Sequence, residues 1–374
     1  MLARGPQLPS PLVPVPPEIA GQTVRMLVRS SIGGPRIRLT FTNAMDTGPV
    51  TFDAVHAALG TGGSKIIDGS DRVVTFGGRP SLQLFPGATA ISDPVNLPVG
   101  ALTDVAVSLH LSGAAATKTV HPLGLNPTYI APGNQTATSD LDRPMLIRSY
   151  LWLKGLSIER TARHHGTIVA LGDSITDGFR TTPGAHGDWP DLLAARLQSD
   201  PRAVGWGVIN AGISGNRILR AAAGDPAVLR FDADVLARPG VRWIILLEGI
   251  NDINKTIIPA YSDRESVTAD QIIQGMDQLI ERAHAHGIRI AGGTMTATKG
   301  LPFYNARGEA MRQAVNHWIR TSGRFDAVID FDAATRDPQD PLRLAPAYDS
   351  GDHVHPNDEG NRAMADAINL GLFR

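Results

Sequence analysis

Apolar and polar residues alternate along the first third of the chain. The runs 24–29, 37–42 and 105–111 place apolar residues at every second position. A period of two is typical of β-strands with one covered face. Glycine- and proline-rich breakers separate these runs, and no clear amphipathic helical pattern occurs among them. The pattern therefore predicts an all-β domain, a β-sandwich or jelly roll, over residues 23–148.

The segments around these strands lack a strong period. Residues 1–22 contain six prolines and are predicted to form an extended lead-in. Residues 114–148 are polar and contain several prolines, which indicates loops. Residues 149–165 are predicted to link this domain to the next one, or else residues 149–160 add a strand.

The pattern changes after Gly166, where short apolar runs alternate with helical periodicity. This alternation predicts an α/β domain over residues 166–374, with helices on both sides of a parallel sheet. The continuous apolar run 243–247 favours a strand that is buried on both faces. The predicted strands are 167–171, 208–209, 241–247, 288–291 and 327–331, and the predicted helices are 189–199, 227–237, 269–286, 310–321 and 358–370.

Composition excludes several classes of protein. The chain has 374 residues, enough for two domains, and 42% of them are hydrophobic, which argues against a disordered or fibrous protein. A net charge of −1 offers no field that would recruit nucleic acid or an anionic membrane, and no apolar run is long enough to span a bilayer. The absence of cysteine excludes disulfides, thiolate metal sites and a cysteine nucleophile. Because prolines interrupt the first residues, we expect either a cytoplasmic protein or a secreted one whose signal peptide has been removed.

Four segments with unusual polar residues follow predicted strands or precede the last helix. In open α/β sheets, functional residues collect at the carboxyl ends of the strands. The segments are Gly-Asp-Ser-Ile-Thr-Asp-Gly (172–178), Asn-Ala-Gly-Ile-Ser-Gly-Asn (210–216), Glu-Gly-Ile-Asn-Asp (248–252) and Asp-His-Val-His-Pro (352–356).

These residue types suit nucleophilic catalysis by a serine. The hydroxyl of Ser174 becomes a strong nucleophile when an imidazole, here His355, takes its proton. The imidazole needs a carboxylate to fix its tautomer, and Asp352 stands three residues before it. The oxyanion formed needs donors held in place beforehand, and a glycine N–H or an asparagine amide supplies them without charge.

Taken in this order, the four segments resemble the four blocks of the SGNH or GDSL hydrolases, which are metal-free serine esterases on a flavodoxin-like parallel sheet. The resemblance covers roughly residues 166–370 and departs mildly at Ile175, where many members have leucine. It implies Ser174 as nucleophile, with Asp352 and His355 as its partners. It also implies an oxyanion hole of the Ser174 and Gly215 backbone N–H groups and the Asn251 side chain. Neither a cofactor nor a metal is implied.

The implied function is hydrolysis of carboxylic esters, with short-chain acyl or acetyl esters as the expected class. The expected partner is a small-molecule or glycan ester. We expect no binding to nucleic acid or to a membrane, and the residues do not predict an oligomeric state. The N-terminal domain more weakly resembles β-sandwich domains that precede such hydrolases.

Two other functions stay open at this point. Asp173, Asp252, His353 and His355 could serve a metal-dependent phosphoesterase, and a relic hydrolase domain could bind carbohydrate without catalysis.

Structural interpretations of the same residues also stay open. Asp173 could only cap a helix, and Asp252 could hold the loop that carries Ser174. Phe179, His186 and Trp189 either border an acyl pocket or pack the start of a helix.

Overall fold

The structure is a computed structural model that describes residues 15–159, 161 and 165–374. The described residues form two compact units, and the second begins at His165. Residues 1–14 of the predicted lead-in lie outside the described part of the chain. Among the residues described, no helix has both the length and the apolar character needed to cross a membrane.

The first unit is built from β-strands, and its described residues contain no helix, as the alternating pattern predicts. Its strands are β1 (Glu18–Ile19), β2 (Gln22–Arg29), β3 (Ile37–Thr42), β4 (Val50–Phe52), β5 (Ala54–Gly62), β6 (Lys65–Ile66), β7 (Arg72–Val73), β8 (Leu82–Leu84), β9 (Thr89–Ile91), β10 (Asp104–Leu111), β11 (Ala115–Ala116), β12 (Val120–His121), β13 (Thr128–Pro132), β14 (Met145–Ile147), β15 (Tyr150–Leu151) and β16 (Leu153–Ile158).

Two antiparallel sheets enclose one apolar core in this unit. The larger runs β14-β13-β2-β10-β5-β6, with β7 also paired to β5, and the smaller runs β16-β3-β9. Residues from both sheets, such as Met26, Phe41, Val107 and Leu153, belong to the same buried cluster. The all-β character of the N-terminal region is thus confirmed.

The middle strands of the larger sheet are covered on both faces, whereas the alternating pattern predicts one covered face. Arg25 in β2 is buried although its neighbours Val24 and Met26 face the core. Its guanidinium donates to the carbonyl oxygens of Ser64 at 2.6 Å and Thr138 at 2.8 Å, and its Nε donates to the Ser108 hydroxyl. A buried cation is tolerated when its donors are satisfied in this way. The polar face of the sheet is therefore closed by a loop.

The prediction of loops over 114–148 holds for most of these residues but missed the short strands β11 to β14, and the prediction of a linker over 149–165 missed β15 and β16. Strand β13 pairs with β2, and β14 pairs with β13. Strand β16 pairs with β3 over five register positions, so the alternative of an added strand describes residues 149–160 better. These strands are short or lie at sheet edges, where one neighbouring strand supplies the order and sequence alternation is weak.

The second unit alternates strands and helices. Its strands are β17 (Gly166–Gly172), β18 (Trp206–Gly212), β19 (Val241–Leu247), β20 (Arg289–Gly293) and β21 (Ala327–Ile329). Its α-helices are α1 (Ser174–Asp177), α2 (Trp189–Ser199), α3 (Ala227–Phe231), α4 (Ile250–Ile257), α5 (Pro259–Glu265), α6 (Ala269–Ala285), α7 (Ala306–Thr321), α8 (Phe331–Thr335) and α9 (Asp358–Ala367). A π-helix, Asp232–Leu236, continues α3, and a 3₁₀-helix, Leu370–Phe373, follows α9.

The five strands of this unit form one sheet in the order β18-β17-β19-β20-β21, and all neighbouring pairs are parallel. Residues 243–247 are buried without interruption, so β19 is covered on both faces. One face packs on α2 and α9 through residues such as Trp189 and Met364. The carboxyl ends of all five strands therefore lie along one edge of the sheet.

Most of the predicted helices occur, with different ends. The predicted helix 227–237 divides into α3 and the π-helix, and the predicted helix 310–321 starts earlier, at Ala306, because Asn305 caps it through the Gly308 N–H. The sequence pattern missed α1, α4, α5 and α8, which have four to eight residues. Helices this short show too little of a 3.6-residue period to be recognised.

Candidate active site

The four polar segments lie at the ends of elements in the second unit. The first lies at the junction of β17 and α1, the second at the end of β18 and the third at the junction of β19 and α4. The fourth is the loop that leads into α9. Since β17, β18 and β19 are adjacent and parallel, their ends bring three segments to the same edge.

Ser174, His355 and Asp352 form a continuous chain of hydrogen bonds. The Ser174 Oγ lies 2.8 Å from His355 Nε2, and His355 Nδ1 lies 2.8 Å from Asp352 Oδ2. A proton on Nδ1, donated to the carboxylate, leaves Nε2 free to accept the serine O–H. In that tautomer the imidazole is oriented to take the hydroxyl proton of Ser174.

The carboxylate of Asp352 is held in its charged form. Partial burial acts to raise its pKa, but the hydrogen bond and charge of His355 outweigh burial. The backbone N–H groups of His355 and Val354 also donate to its Oδ1, at 2.9 and 3.1 Å. Together these donors bring the pKa of Asp352 well below its usual range.

Two glycines let α1 pack against the strand ends. A Cβ on Gly172 would lie 2.2 Å from Thr176 Oγ1 and 2.4 Å from the Leu247 carbonyl oxygen. A Cβ on Gly212 would lie 2.1 Å from the Asp177 backbone nitrogen. Only residues without a side chain fit these positions, and this close approach brings Ser174 to the sheet edge.

The three predicted oxyanion donors differ in their hydrogen bonding. In the part of the chain that the structure describes, no acceptor is found for the backbone N–H of Ser174 or of Gly215. Gly215 has a φ of +79°, which favours glycine at this turn. The Asn251 side-chain nitrogen donates to the Asn216 carbonyl oxygen at 3.0 Å. Its second amide hydrogen remains available to a ligand.

Two aspartates fix the loop that carries Gly215. The Asp177 carboxylate in α1 accepts from both the N–H and the hydroxyl of Ser214, at 2.9 and 2.7 Å. The Asp252 carboxylate accepts from the backbone N–H groups of Ile218 and Leu219, at 2.8 and 3.2 Å. The structural interpretation of Asp252 is thus supported, but its carboxylate holds the loop after β18 and not the loop of Ser174 that the sequence suggested.

The buried side chain of Arg230, in α3, bonds to the ends of the neighbouring strands β17 and β18. It donates to the carbonyl oxygens of Gly172 at 2.9 Å and Ala211 at 2.8 Å. Its Nε donates to the Asn216 side chain at 2.9 Å. One guanidinium thus bonds to the end of β17, the end of β18 and the loop after β18. A planar group with five donors suits such a junction.

Three carboxyl groups at the ends of β17 and β19, those of Asp173, Glu248 and Asp252, are buried. Burial raises the pKa of Asp173 to about 7 and that of Asp252 to about 6. Burial, together with the charge of Asp173, raises the pKa of Glu248 well above its ordinary value. Glu248 lies 3.8 Å from Arg230, and within the described residues neither of its carboxyl oxygens has a hydrogen-bond partner. Burial thus favours the uncharged acids, in contrast to Asp352.

The residues of the metal hypothesis are engaged separately. Asp173 accepts from the Ile175 N–H as the cap of α1, and His353 Nδ1 pairs with Asp349 at 2.6 Å in an exposed loop. His355 contacts Ser174 and Asp352. No group of three potential metal-binding side chains of histidine, cysteine, aspartate or glutamate is found among the described residues. The four residues do not form one ligand set.

The residues expected beside the nucleophile divide between site and core. The ring of Phe179 lies edge-on to the His355 ring, with centroids 4.7 Å apart. Trp189 is fully buried and packs against Phe331 in the core. His186 pairs with Asp191 of α2. Phe179 thus contacts a residue of the Ser174–His355–Asp352 chain, Trp189 belongs to the core, and His186 bonds to the helix that follows it.

Sequence reasoning missed Arg230, Glu248 and Arg180. Arg230 bonds to the strand ends, Glu248 lies 3.8 Å from Arg230, and Arg180 donates to Asp352 at 3.1 Å. Glu248 was visible as a charged residue directly after an apolar strand. Arg230 lies in an ordinary helical pattern, and its role depends on contacts with residues far away in sequence. No local signal distinguishes such a residue.

Comparison with known proteins found similar solved structures and a matching family model. Similar solved structures include a protein assigned to the lipolytic G-D-S-L family from Desulfitobacterium hafniense (21% identity, 54% of this chain and 97% of that chain, TM-score 0.42). Another is an acetylxylan esterase from Geobacillus stearothermophilus (23% identity, 55% and 92%, TM-score 0.43). No curated protein matches the sequence. The family model described as GDSL-like lipase/acylhydrolase matches residues 170–363, a span that contains all four segments.

The buried Asp173 carboxyl makes stability depend on pH. Its pKa is about 7 in the folded chain, against an ordinary aspartate value of 3.8, so the folded state binds more protons than the unfolded state between these values. The stability it contributes is complete below the lower value and is lost as the pH rises through about 7. We expect Asp173→Asn, which keeps a capping oxygen, to gain stability relative to the unsubstituted chain from pH 4 to pH 8. The gain is at most about 1.4 kcal/mol per pH unit.

Thermal unfolding of both proteins across this range measures the difference. Asp200→Asn is a control of opposite sign, because backbone and arginine donors lower the pKa of Asp200. The stability that ionised Asp200 contributes is present above about pH 4 and is lost as the pH falls. A difference for Asp173→Asn that stays constant with pH would contradict the account.

Proposed function

Because the chain belongs to the GDSL-like lipase/acylhydrolase family, we propose that it is a serine esterase that hydrolyses carboxylic esters through an acyl-enzyme on Ser174. The proposed base is His355, oriented by Asp352. We assign the oxyanion hole to the N–H groups of Ser174 and Gly215 and the side-chain amide of Asn251. The strand order, with the second strand at one edge followed by the first, third, fourth and fifth, supports a flavodoxin-like hydrolase sheet.

The observation that carries this proposal is the pair of 2.8 Å hydrogen bonds from Ser174 to His355 and from His355 to Asp352. As the Ser174 Oγ attacks the ester carbonyl carbon, its proton moves to His355 Nε2. The carbon–oxygen bond to the alcohol then breaks, and the proton on Nε2 passes to the leaving oxygen. Asp352, held as a carboxylate, stabilises the imidazolium between these two steps.

Water completes the cycle by the same route. It attacks the acyl carbon and gives a proton to His355 Nε2, and the acid leaves as Ser174 Oγ regains that proton. In each half-reaction the carbonyl oxygen gains negative charge, which the three proposed donors would stabilise. Two of these donors are backbone N–H groups without an acceptor in the described structure, and therefore need not break a protein hydrogen bond to bind the oxyanion.

We propose that the substrates are short-chain acyl esters, including acetyl esters of carbohydrates. Support for the ester class comes from the family, and support for the short acyl group comes from the sequence blocks alone. A series of 4-nitrophenyl esters from acetate to decanoate, together with an acetylated xylan, tests the class. Highest kcat/KM for acetate or butyrate would support it, and a maximum at decanoate would overturn the short-chain assignment while leaving the serine mechanism in place.

Replacement of the nucleophile tests the mechanism. We expect Ser174→Ala to lose hydrolysis of 4-nitrophenyl acetate almost completely, because its side chain has no attacking oxygen. Ser199→Ala is the matched control, since Ser199 lies at the end of α2, where its hydroxyl donates to the Ala195 carbonyl oxygen, and it belongs to none of the four polar segments. Each protein is assayed with and without EDTA.

Each outcome separates the functions under consideration. Activity that survives EDTA and vanishes in Ser174→Ala supports the esterase. Activity that vanishes with EDTA and survives in Ser174→Ala would support the metal-dependent phosphoesterase instead. Binding of a glycan without hydrolysis of any ester would support the carbohydrate-binding protein.

Asn251→Ala tests the proposed side-chain donor of the oxyanion hole. We expect kcat to fall about 100- to 1000-fold with a smaller change in KM, since the lost hydrogen bond belongs to the transition state. Asn254→Ala, one turn later in α4, is the control. Steady-state kinetics decide between roles: an increase in KM with unchanged kcat would make Asn251 a substrate contact.

A further inference from the structure

The Asp352 carboxylate has a second side-chain partner besides His355. Arg180 Nε donates to Asp352 Oδ2 at 3.1 Å, and His355 Nδ1 bonds to the same oxygen at 2.8 Å. The other oxygen, Oδ1, accepts from two backbone N–H groups. The guanidinium and the imidazole therefore share one oxygen of an otherwise occupied carboxylate.

The segment that carries Arg180 is fixed at both ends. The backbone N–H of Phe179 donates to the Ser174 carbonyl oxygen at 2.9 Å. Two residues after Arg180, the N–H and hydroxyl of Thr182 donate to the Asp358 carboxylate at 2.8 and 2.6 Å. Arg180 thus stands on a short segment between the nucleophile and the first residue of α9.

Neighbouring side chains of this segment contact both members of the Asp352–His355 pair. The Phe179 ring packs edge-on against the His355 ring, and the Arg180 guanidinium carbon lies 5.1 Å from the centroid of the Phe179 ring. The backbone of Arg180 has a φ of +77°, which is unfavourable for a residue with a Cβ. In this strained conformation, the adjacent side chains of Phe179 and Arg180 contact His355 and Asp352, respectively.

A cation bonded to Asp352 Oδ2 changes how strongly the Asp352 carboxylate stabilises the protonated imidazole of His355. Asp352 favours protonation of His355 because its negative charge stabilises the imidazolium. The positive charge of Arg180 neutralises part of that charge and repels the imidazolium. We propose that Arg180 is a positioning residue that makes His355 a weaker base and so lets the esterase stay active at lower pH.

This proposal rests on the serine mechanism proposed above and concerns its pH dependence. The charged groups on the segments around His355 include Asp349 and His353 in its own loop, Asp173 and Asp177 at the two ends of α1, and Asp358 and Glu359 in the first turn of α9. Asp177, Asp358 and the His353–Asp349 pair have their own hydrogen bonds. Within the described residues, Arg180 is the one cation found bonded to Asp352 through its side chain, apart from His355 itself.

The test compares pH profiles of kcat/KM for 4-nitrophenyl acetate between pH 5 and pH 9. We expect Arg180→Gln to move the acidic limb upward by about half a pH unit, because one nearby charge that is half-exposed has been removed. Arg180→Lys, which keeps the charge, should leave the limb near its original position. Addition of 0.5 M NaCl should reduce the difference, since the Arg180 side chain is 53% exposed.

Arg362→Gln is the matched control, because Arg362 is an exposed arginine of α9 that lies 3.7 Å from Glu359 on the same helix, and among the described residues it has no ion pair with Asp352. An acidic limb that stays in place in Arg180→Gln, or that moves equally in Arg362→Gln, would overturn the proposal. NMR titration of the His355 ring, assigned with His355→Gln, gives a second measurement that needs no activity. If Ser174 were not the nucleophile, hydrolysis would persist in Ser174→Ala, while the NMR shift would still decide the effect of Arg180 on His355.

Discussion

The buried guanidinium of Arg230 joins the ends of neighbouring parallel strands, and the proposed active site depends on those ends keeping their positions. Its bonds to the carbonyl oxygens of Gly172 and Ala211 hold the residues from which the nucleophile segment and the Gly215 loop emerge. A cation at this depth must be compensated, and the Asp234 carboxyl group lies 3.3 Å from it. The same region therefore contains both the support of the site and a group of buried acids.

The carboxyl groups around the site fall into two electrostatic classes. Asp173, Asp252 and Glu248 are buried, and burial raises the pKa of each, which favours the neutral acid. Asp352 is partly exposed and accepts four hydrogen bonds, which keep it ionised. The contrast is consistent with the proposed roles, because a carboxylate that stabilises an imidazolium must carry charge. The two guanidinium groups differ in a similar way. Arg180, at the surface, is proposed to weaken His355 as a base, whereas Arg230, in the interior, bonds to the strand ends.

The sequence predicted the parts of the molecule that depend on local pattern. Ser174 stands directly after a strongly apolar strand, Asp352 and His355 stand in a short polar segment before the last helix, and the all-β N-terminal region follows from alternation. The strands β13 and β14 escaped prediction, and β16 was predicted only as an alternative to a linker, because their partners, and not their own alternation, define them. Arg180 and Arg230 escaped because each acts through a residue distant in the chain. Contacts of that kind become visible only in three dimensions.

The central claim is that the Ser174 hydroxyl, activated through His355, attacks the substrate. Reaction with a fluorophosphonate, followed by digestion and mass spectrometry of the peptides, tests it most directly. The account predicts one phosphonyl group per chain, attached to Ser174, with loss of ester hydrolysis in proportion to labelling and no labelling in His355→Ala. A protein that hydrolyses esters while Ser174 stays unlabelled, or that is labelled at another serine as activity disappears, would contradict the account.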